Sequence, residues 1–257
     1  MRYEILGPVR AIDAVAENYV NAPKAALLLA SLLIRQGGEV TRDELMTEIW
    51  GEKLPSRPAA CLHVYVSQLR KLLQRPGTGN PLLRSGSGYR IDLTHATLDA
   101  RDLADSVAAA RESLLAHRAQ QALEHFRAAL ALWRGRPLGD LGEGPIAHGF
   151  TAWASATKLE CSEGIARCSL ALGRHREAIT YLETLTAEHP FRESFYHYLM
   201  LALYRAGCQV DALIVYQRAR STLRDELGLE PCSMLRDLQQ VILRGDPAPG
   251  KDCAPAV

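Results

Sequence analysis

The chain has 257 residues, 47% of them hydrophobic and 23% charged, so its length favours two domains and its composition excludes a largely disordered protein. The longest apolar run, Ala25 to Ile34, is too short to cross a bilayer. The net charge is only +1, but the charges are unevenly distributed. From Glu52 to Ile91 there are seven basic residues and one acidic residue, a pattern typical of a polyanion-binding surface.

The strand signals of the chain lie in its first hundred residues. Alternating apolar and polar residues predict a small antiparallel sheet within residues 2–20. The apolar run then forms a first helix, the capping box of Thr41 and Glu44 begins a second, and residues 56–73 form a third. Two short strands around a Gly-Ser tip follow in residues 82–93. A β-hairpin is therefore predicted directly after three helices.

The third helix separates its residues into two contrasting faces. At 100° per residue, one sector collects the apolar positions predicted to face the core: Leu62, Tyr65, Val66, Leu69, Leu72 and Leu73. The opposite sector contains no acidic residue and consists of Arg57, Ala60, His63, Val64, Ser67, Gln68 and Lys71. Small, neutral-polar and basic side chains suit a helix that enters the major groove of DNA.

Roles within this DNA-binding surface follow from side-chain chemistry. Base contacts are predicted for His63, Val64, Ser67 and Gln68. Phosphate contacts are predicted for Arg57, Arg70, Lys71 and Thr41. The methyl groups of Val64 suit contact with a thymine methyl, although a lone exposed valine is also common on protein surfaces.

The hairpin is predicted to act as a wing beside the recognition helix. Its expected DNA contacts are Arg84, Ser87 and Arg90. Taken alone, the same segment also fits an ordinary β-turn with surface arginines. The hairpin becomes a candidate wing because it follows a capped helix and a basic helix.

The second half of the chain predicts stacked helix pairs. The pairs Gly173 and Gly207, Ala178 and Ala212, and Leu182 and Tyr216 are each separated by 34 residues, the tetratricopeptide period. The expected domains are residues 1–95, an α+β winged helix-turn-helix, and residues 96–245, an all-α helical repeat. A disordered tail is expected in residues 246–257.

The first half resembles the OmpR-type winged-helix domain in three motifs: Ile49-Trp50-Gly51, Val64 to Leu73, and Gly88-Tyr89-Arg90-Ile91. With a helical repeat behind it, the chain resembles the SARP family of actinobacterial antibiotic regulators. In that family an OmpR-type domain precedes a tetratricopeptide-like bacterial transcriptional activation domain.

The resemblance implies an activator that binds promoter direct repeats in double-stranded DNA as a side-by-side dimer. It further implies recruitment of the RNA polymerase holoenzyme and control of a secondary-metabolite gene cluster, in the cytoplasm and associated with the nucleoid. The sequence departs from the usual pattern at Pro58 to Cys61 and at His63, where the recognition helix begins.

Other functional classes have weaker support in the sequence. There is no H-E-x-x-H, no G-x-S-x-G and no metal-spaced Cys/His set, so we expect no catalytic site, no metal and no cofactor. A tetratricopeptide-type adaptor, whose winged domain mediates protein-protein contacts, is the alternative. The basic stretch from Glu52 to Ile91 favours DNA over that alternative.

Overall fold

The computed structural model describes residues 1–13, 17–20, 22–74, 79–141 and 144–247. By compactness the chain divides into two units. Unit 1 comprises Met1–Ala108 and Ala128–Leu159, and unit 2 comprises Ala109–Arg127 and the residues from Glu160 onward. The predicted boundary between residues 95 and 96 separates two domains along the sequence. The division by compactness does not test it, so it stays a prediction. The predicted tail lies almost wholly outside the described residues.

The elements are numbered in chain order. The first part contains β1 (Arg2–Glu4), β2 (Arg10–Ile12), β3 (Glu17–Tyr19), α1 (Pro23–Ile34), β4 (Val40–Thr41), α2 (Arg42–Trp50), α3 (Pro58–Leu73), β5 (Leu82–Ser85), β6 (Gly88–Ile91) and β7 (Thr97–Leu98). The remainder contains α4 (Asp99–Leu115), α5 (Ala119–Leu130), α6 (Pro145–Ala171), α7 (His175–Glu188), α8 (Glu193–Arg205), α9 (Gln209–Leu227) and α10 (Ser233–Arg244).

The amino-terminal sheet has the strand order β3-β2-β1-β7. Its first three strands pair antiparallel, which confirms the sheet predicted in residues 2–20. Strand β7 pairs parallel with β1, with Arg2 opposite Thr97, and was not predicted from the sequence. A strand of only two residues is too short to show an alternation of apolar and polar residues. Its pairing also joins distant parts of the chain, so a local pattern could not predict it.

Helices α1, α2 and α3 pack around a buried aliphatic core that includes Leu28, Leu45 and Leu62. Helix α2 begins with the predicted capping box, because Thr41 and Glu44 each satisfy a backbone N–H of the other. Helix α3 begins at Pro58 rather than at Ser56 as predicted. Proline disfavours helical geometry in the residue before it, and Arg57 accordingly has φ −135° and ψ 69°.

A second sheet, of order β4-β6-β5, forms the predicted hairpin and adds a short strand to it. Strands β5 and β6 pair from Leu82 opposite Ile91 to Ser85 opposite Gly88, which leaves a two-residue tip. Gly88 lies so close to β4 that a Cβ atom there would be 1.9 Å from the Val40 carbonyl oxygen. Only glycine therefore permits this pairing.

Two buried carboxylates join the winged helix to later segments of unit 1. Asp99 accepts hydrogen bonds from the backbone N–H groups of Ile5 and Leu6 at 2.8–2.9 Å. Glu48 of α2 accepts from the N–H groups of Ile146 and Ala147, at 2.7 and 2.8 Å, in the first turn of α6. A carboxylate at a helix amino terminus stabilises the helix by satisfying free N–H groups and opposing the helix dipole.

The helices of unit 2 repeat one turn geometry. His117, Gly173 and Gly207 each adopt a positive φ between consecutive helices. In each case the following residue donates its N–H to a carbonyl five residues earlier, at 2.8–2.9 Å. This is the Schellman arrangement of helix ends. Ala178, Leu182, Ala212 and Tyr216, the equivalent residues of the 34-residue repeat, are all buried.

Candidate nucleic-acid interface

Helix α3 presents the two faces expected from its sequence. Leu62, Val66, Leu69 and Leu73 are buried, with at most 3% of each residue exposed, whereas Tyr65 and Leu72 are half-buried. Five of the contact residues predicted on the helix are exposed: His63, Val64, Ser67, Gln68 and Lys71. Arg57, at the N-cap position of the helix, is exposed as well. The burial confirms the orientation of the helix, while the roles of the exposed side chains remain predictions.

Val64 is an exposed apolar residue at the centre of this face. It is 53% exposed, although the aliphatic residues on the other side of α3 are almost completely buried. Helix α3 contains no acidic residue. An apolar side chain of this kind suits contact with a thymine methyl, and its basic neighbours suit contact with the flanking phosphates.

Arg70 is placed differently from the other predicted phosphate contacts. It is half-buried, and its Nε donates to the backbone carbonyl of Leu82 at 3.2 Å. Asn80 closes the same junction, because its amide donates to the Arg70 carbonyl at 2.8 Å and its Oδ1 accepts from the Leu82 N–H at 3.0 Å. These bonds tie the end of α3 to the start of the wing. The sequence pattern did not identify Asn80.

A cleft of about 540 Å³ lies between α3 and the wing. Ser67, Arg70 and Lys71 line it from the helix, and Leu83 and Arg84 line it from the wing. Basic residues from both elements therefore border one concave surface. Such a surface concentrates positive potential where a phosphate backbone would lie.

The two arginines of the wing lie on opposite faces of the hairpin. Arg84 is paired with Tyr89, and Arg90 is paired with Leu83, so alternation along the strands separates the arginine side chains. Both arginines are exposed. The pair therefore flanks the tip from two sides rather than forming one patch.

Ser87 and Thr41 already have hydrogen-bond partners within the protein. The N–H and hydroxyl groups of Ser87 both donate to Glu39, at 3.0 and 3.4 Å, and its carbonyl accepts from Arg42 at 2.8 Å. The Thr41 hydroxyl exchanges hydrogen bonds with Glu44 in the capping box. These contacts show that both residues help to position the protein around them, and their predicted DNA contacts stay predictions.

Glu39 and Arg42 are therefore further components of the site that the sequence did not reveal. Glu39 is 48 residues from Ser87 in the chain, and Arg42 is 45 residues from it. Lys24 also lies outside the basic stretch from Glu52 to Ile91, and its ammonium lies 5.5 Å from the centre of the Trp50 ring. A cation over an aromatic face is a favourable arrangement.

The described ranges contain no group of three or more His, Cys, Asp or Glu side chains placed to hold a metal ion. Burial raises the pKa of Cys161 to about 12 and that of Cys168 to about 11, so both thiols stay protonated at neutral pH. No helix within the described part of the chain is long and apolar enough to cross a membrane.

Two family models match the chain. Residues 98–243 match the bacterial transcriptional activator domain, and residues 17–91 match the carboxy-terminal domain of transcriptional regulatory proteins. The regulatory protein AfsR of Streptomyces coelicolor is 39% identical over 249 residues, which cover 96% of this chain and 25% of AfsR. The chain thus spans about a quarter of the length of AfsR.

Other relatives align over most of their own length. The transcriptional regulator RedD of Streptomyces coelicolor is 34% identical over 247 residues, covering 95% of this chain and 70% of RedD. The structure of Mycobacterium tuberculosis EmbR in complex with a low-affinity phosphopeptide superposes with a TM-score of 0.91 at 35% identity. That similarity covers 97% of this chain and 66% of the EmbR chain.

Proposed function

The chain belongs to the SARP family of bacterial transcriptional regulators, and from this membership we propose that it is a sequence-specific, DNA-binding transcriptional activator. Its relatives are transcriptional regulators rather than enzymes. The observation that carries the proposal is the exposed, acid-free face of α3, with Val64 at its centre and Lys71 near its end.

In the proposed complex, α3 enters the major groove and reads base edges. Gln68 and His63 donate or accept hydrogen bonds there, Ser67 adds a hydroxyl, and Val64 contacts a thymine methyl. Each good base contact of this kind discriminates between base pairs by about 1–3 kcal/mol. Sequence preference therefore resides in four exposed side chains of a single helix.

Arg57 and Lys71 bind phosphates on either side of the groove. Both are exposed, and they lie near opposite ends of α3, so together they set the register of the helix on the DNA. Arg70 and Thr41 support this binding indirectly. Arg70 holds the wing against α3, and Thr41 caps α2.

The wing contacts the DNA backbone beside an adjacent minor groove. Because Arg84 and Arg90 lie on opposite faces of the hairpin, each suits one of the two strands that border the groove. Ser87 forms the tip between them, and its backbone is held by the protein.

Beyond DNA binding, we propose that the protein binds short direct repeats at promoters as a side-by-side dimer, in the cytoplasm and at the nucleoid. The activator-domain match over residues 98–243 supports recruitment of RNA polymerase holoenzyme by the helical half. We further propose that it controls a secondary-metabolite gene cluster, and the similarity to SARP regulators supports this proposal.

Footprinting the purified full chain on its neighbouring promoters tests the proposal. We expect protection of two or more repeats in successive turns of one DNA face. In a gel-shift titration, log affinity should fall with log salt at about 0.9 per phosphate contact. Either the absence of a footprint or binding that is insensitive to salt would contradict DNA recognition and favour the adaptor alternative.

A further inference from the structure

A carboxylate lies at the tip of the wing. Glu39 is exposed and immediately precedes β4. Its Oε1 accepts hydrogen bonds from the Ser87 N–H at 3.0 Å and from the Ser87 hydroxyl at 3.4 Å, and its Oε2 accepts from the Ser85 hydroxyl at 3.1 Å. One side chain thus bonds to the residues on both sides of Gly86.

Arg42 binds the other backbone polar group of Ser87, at the same tip. The Arg42 Nε donates to the Ser87 carbonyl at 2.8 Å, while Glu39 binds the Ser87 N–H. Glu39 and Arg42 lie on either side of β4, which pairs with β6. Both backbone groups of Ser87 are therefore bound by residues outside the hairpin, and we name this pair the Glu39–Arg42 clamp.

The two-residue tip leaves little room for other arrangements. Gly86 has φ 46°, and a Cβ atom there would lie 2.8 Å from both carboxylate oxygens of Glu39. The carboxylate therefore packs directly against the turn as well as bonding to it. Ordering a loop before binding lowers the entropy lost when the complex forms.

The charge of Glu39 opposes the interaction that the wing is proposed to make. It lies at the tip of a hairpin that carries the exposed residues Arg84 and Arg90. A negative charge near DNA phosphates is unfavourable on electrostatic grounds alone. Its presence is consistent with a compensating structural contribution from its three hydrogen bonds.

We propose that Glu39 is a positioning residue for DNA binding. With Arg42, it fixes the Gly86-Ser87 tip in the orientation from which Arg84 and Arg90 reach the two DNA strands. Glu39 thereby increases affinity for DNA even though its charge is negative. This inference rests on the proposed DNA-binding function.

Removal of Glu39 should weaken DNA binding if the side chain positions the wing tip, and should strengthen binding if its charge only repels the DNA phosphates. Glu39→Ala removes the hydrogen bonds together with the negative charge, and we expect DNA affinity of the full chain to fall by about three- to tenfold. Glu39→Gln keeps an acceptor oxygen for the Ser87 N–H and should bind at least as tightly as the wild type. Glu52→Ala is the matched control, because it removes an exposed negative charge elsewhere and should not weaken binding.

The comparison is completed in an Arg84→Ala/Arg90→Ala background, with fluorescence anisotropy on a footprinted promoter fragment at constant salt. There Glu39→Ala should cause no further loss, because the tip no longer has arginines to position. Unchanged or tighter binding by Glu39→Ala in the wild-type background overturns the inference, as does an equal loss in both backgrounds. If the wild type itself does not bind DNA, the proposed function fails as well.

Discussion

The recognition helix and the wing are fixed by different physical means. Helix α3 is held by four buried aliphatic side chains, among them Leu62 and Leu69. The wing tip is held by exposed hydrogen bonds from Glu39 and Arg42. Burial of a large apolar side chain stabilises by about 1.5–3 kcal/mol, whereas a hydrogen bond contributes a net of about 0.5–1.5 kcal/mol. The comparison indicates that α3, the proposed base-reading element, is held more firmly than the tip of the wing, the proposed backbone-contacting element.

The largest effect on stability is expected when the packing beneath α3 is removed. Leu69 is 1% exposed, so Leu69→Ala should lower the free energy of unfolding by about 2–5 kcal/mol through lost burial and a residual cavity. Chemical denaturation of the full chain measures the change. Leu54→Ala, at a residue that is 54% exposed, is the control and should be nearly neutral. Similar small losses for both variants would show that α3 is not held by its buried face.

A smaller effect is expected where the wing meets β4. In Gly88→Ala the new methyl group would meet the Val40 carbonyl, and relief requires strand movement that costs about 1–3 kcal/mol. DNA affinity should fall with the displaced wing. Gly149→Ala is the matched control, because its Cβ would meet nothing within 4 Å in helix α6. Denaturation and anisotropy together check the prediction, and an undisturbed Gly88→Ala protein would contradict the close β4–β6 pairing.

The mildest expected change concerns phosphate binding on α3 itself. Lys71→Ala should lower affinity by about three- to tenfold on all DNA sequences and reduce the salt slope by about 0.9. Stability should change little, because Lys71 is exposed. Arg236→Ala removes an exposed positive charge from unit 2 and serves as the control. A loss confined to one DNA sequence would instead assign Lys71 to base readout.

The sequence predicted those parts of the fold that depend on neighbouring residues. The periodicity of α3 correctly separated Leu62 and Leu69 from His63 and Gln68, because a helix places residues on faces at fixed angles. The capping box at Thr41 correctly located the start of α2. Both patterns are complete within a few residues of sequence.

Contacts between distant residues could not be predicted in this way. The carboxylate of Glu48 caps a helix 98 residues later, and Asp99 binds the backbone of Ile5, 94 residues earlier. The prediction that Arg70 contacts phosphate took account of its charge but not of the Leu82 carbonyl that accepts its Nε–H. A local pattern identifies which side chains are basic, but only the fold shows which of them already have a partner.

Base interference across the footprint tests the division between α3 and the wing most directly. Thymine-to-uracil substitution and purine methylation are scanned with the wild type and with the Val64→Ala, Gln68→Ala and Glu39→Ala variants. We predict interference in the major groove, with its pattern altered by the two α3 substitutions, including loss of sensitivity to one thymine methyl in Val64→Ala. Glu39→Ala should weaken binding while preserving the pattern. An identical pattern for the wild type and both α3 variants would contradict base readout by this helix.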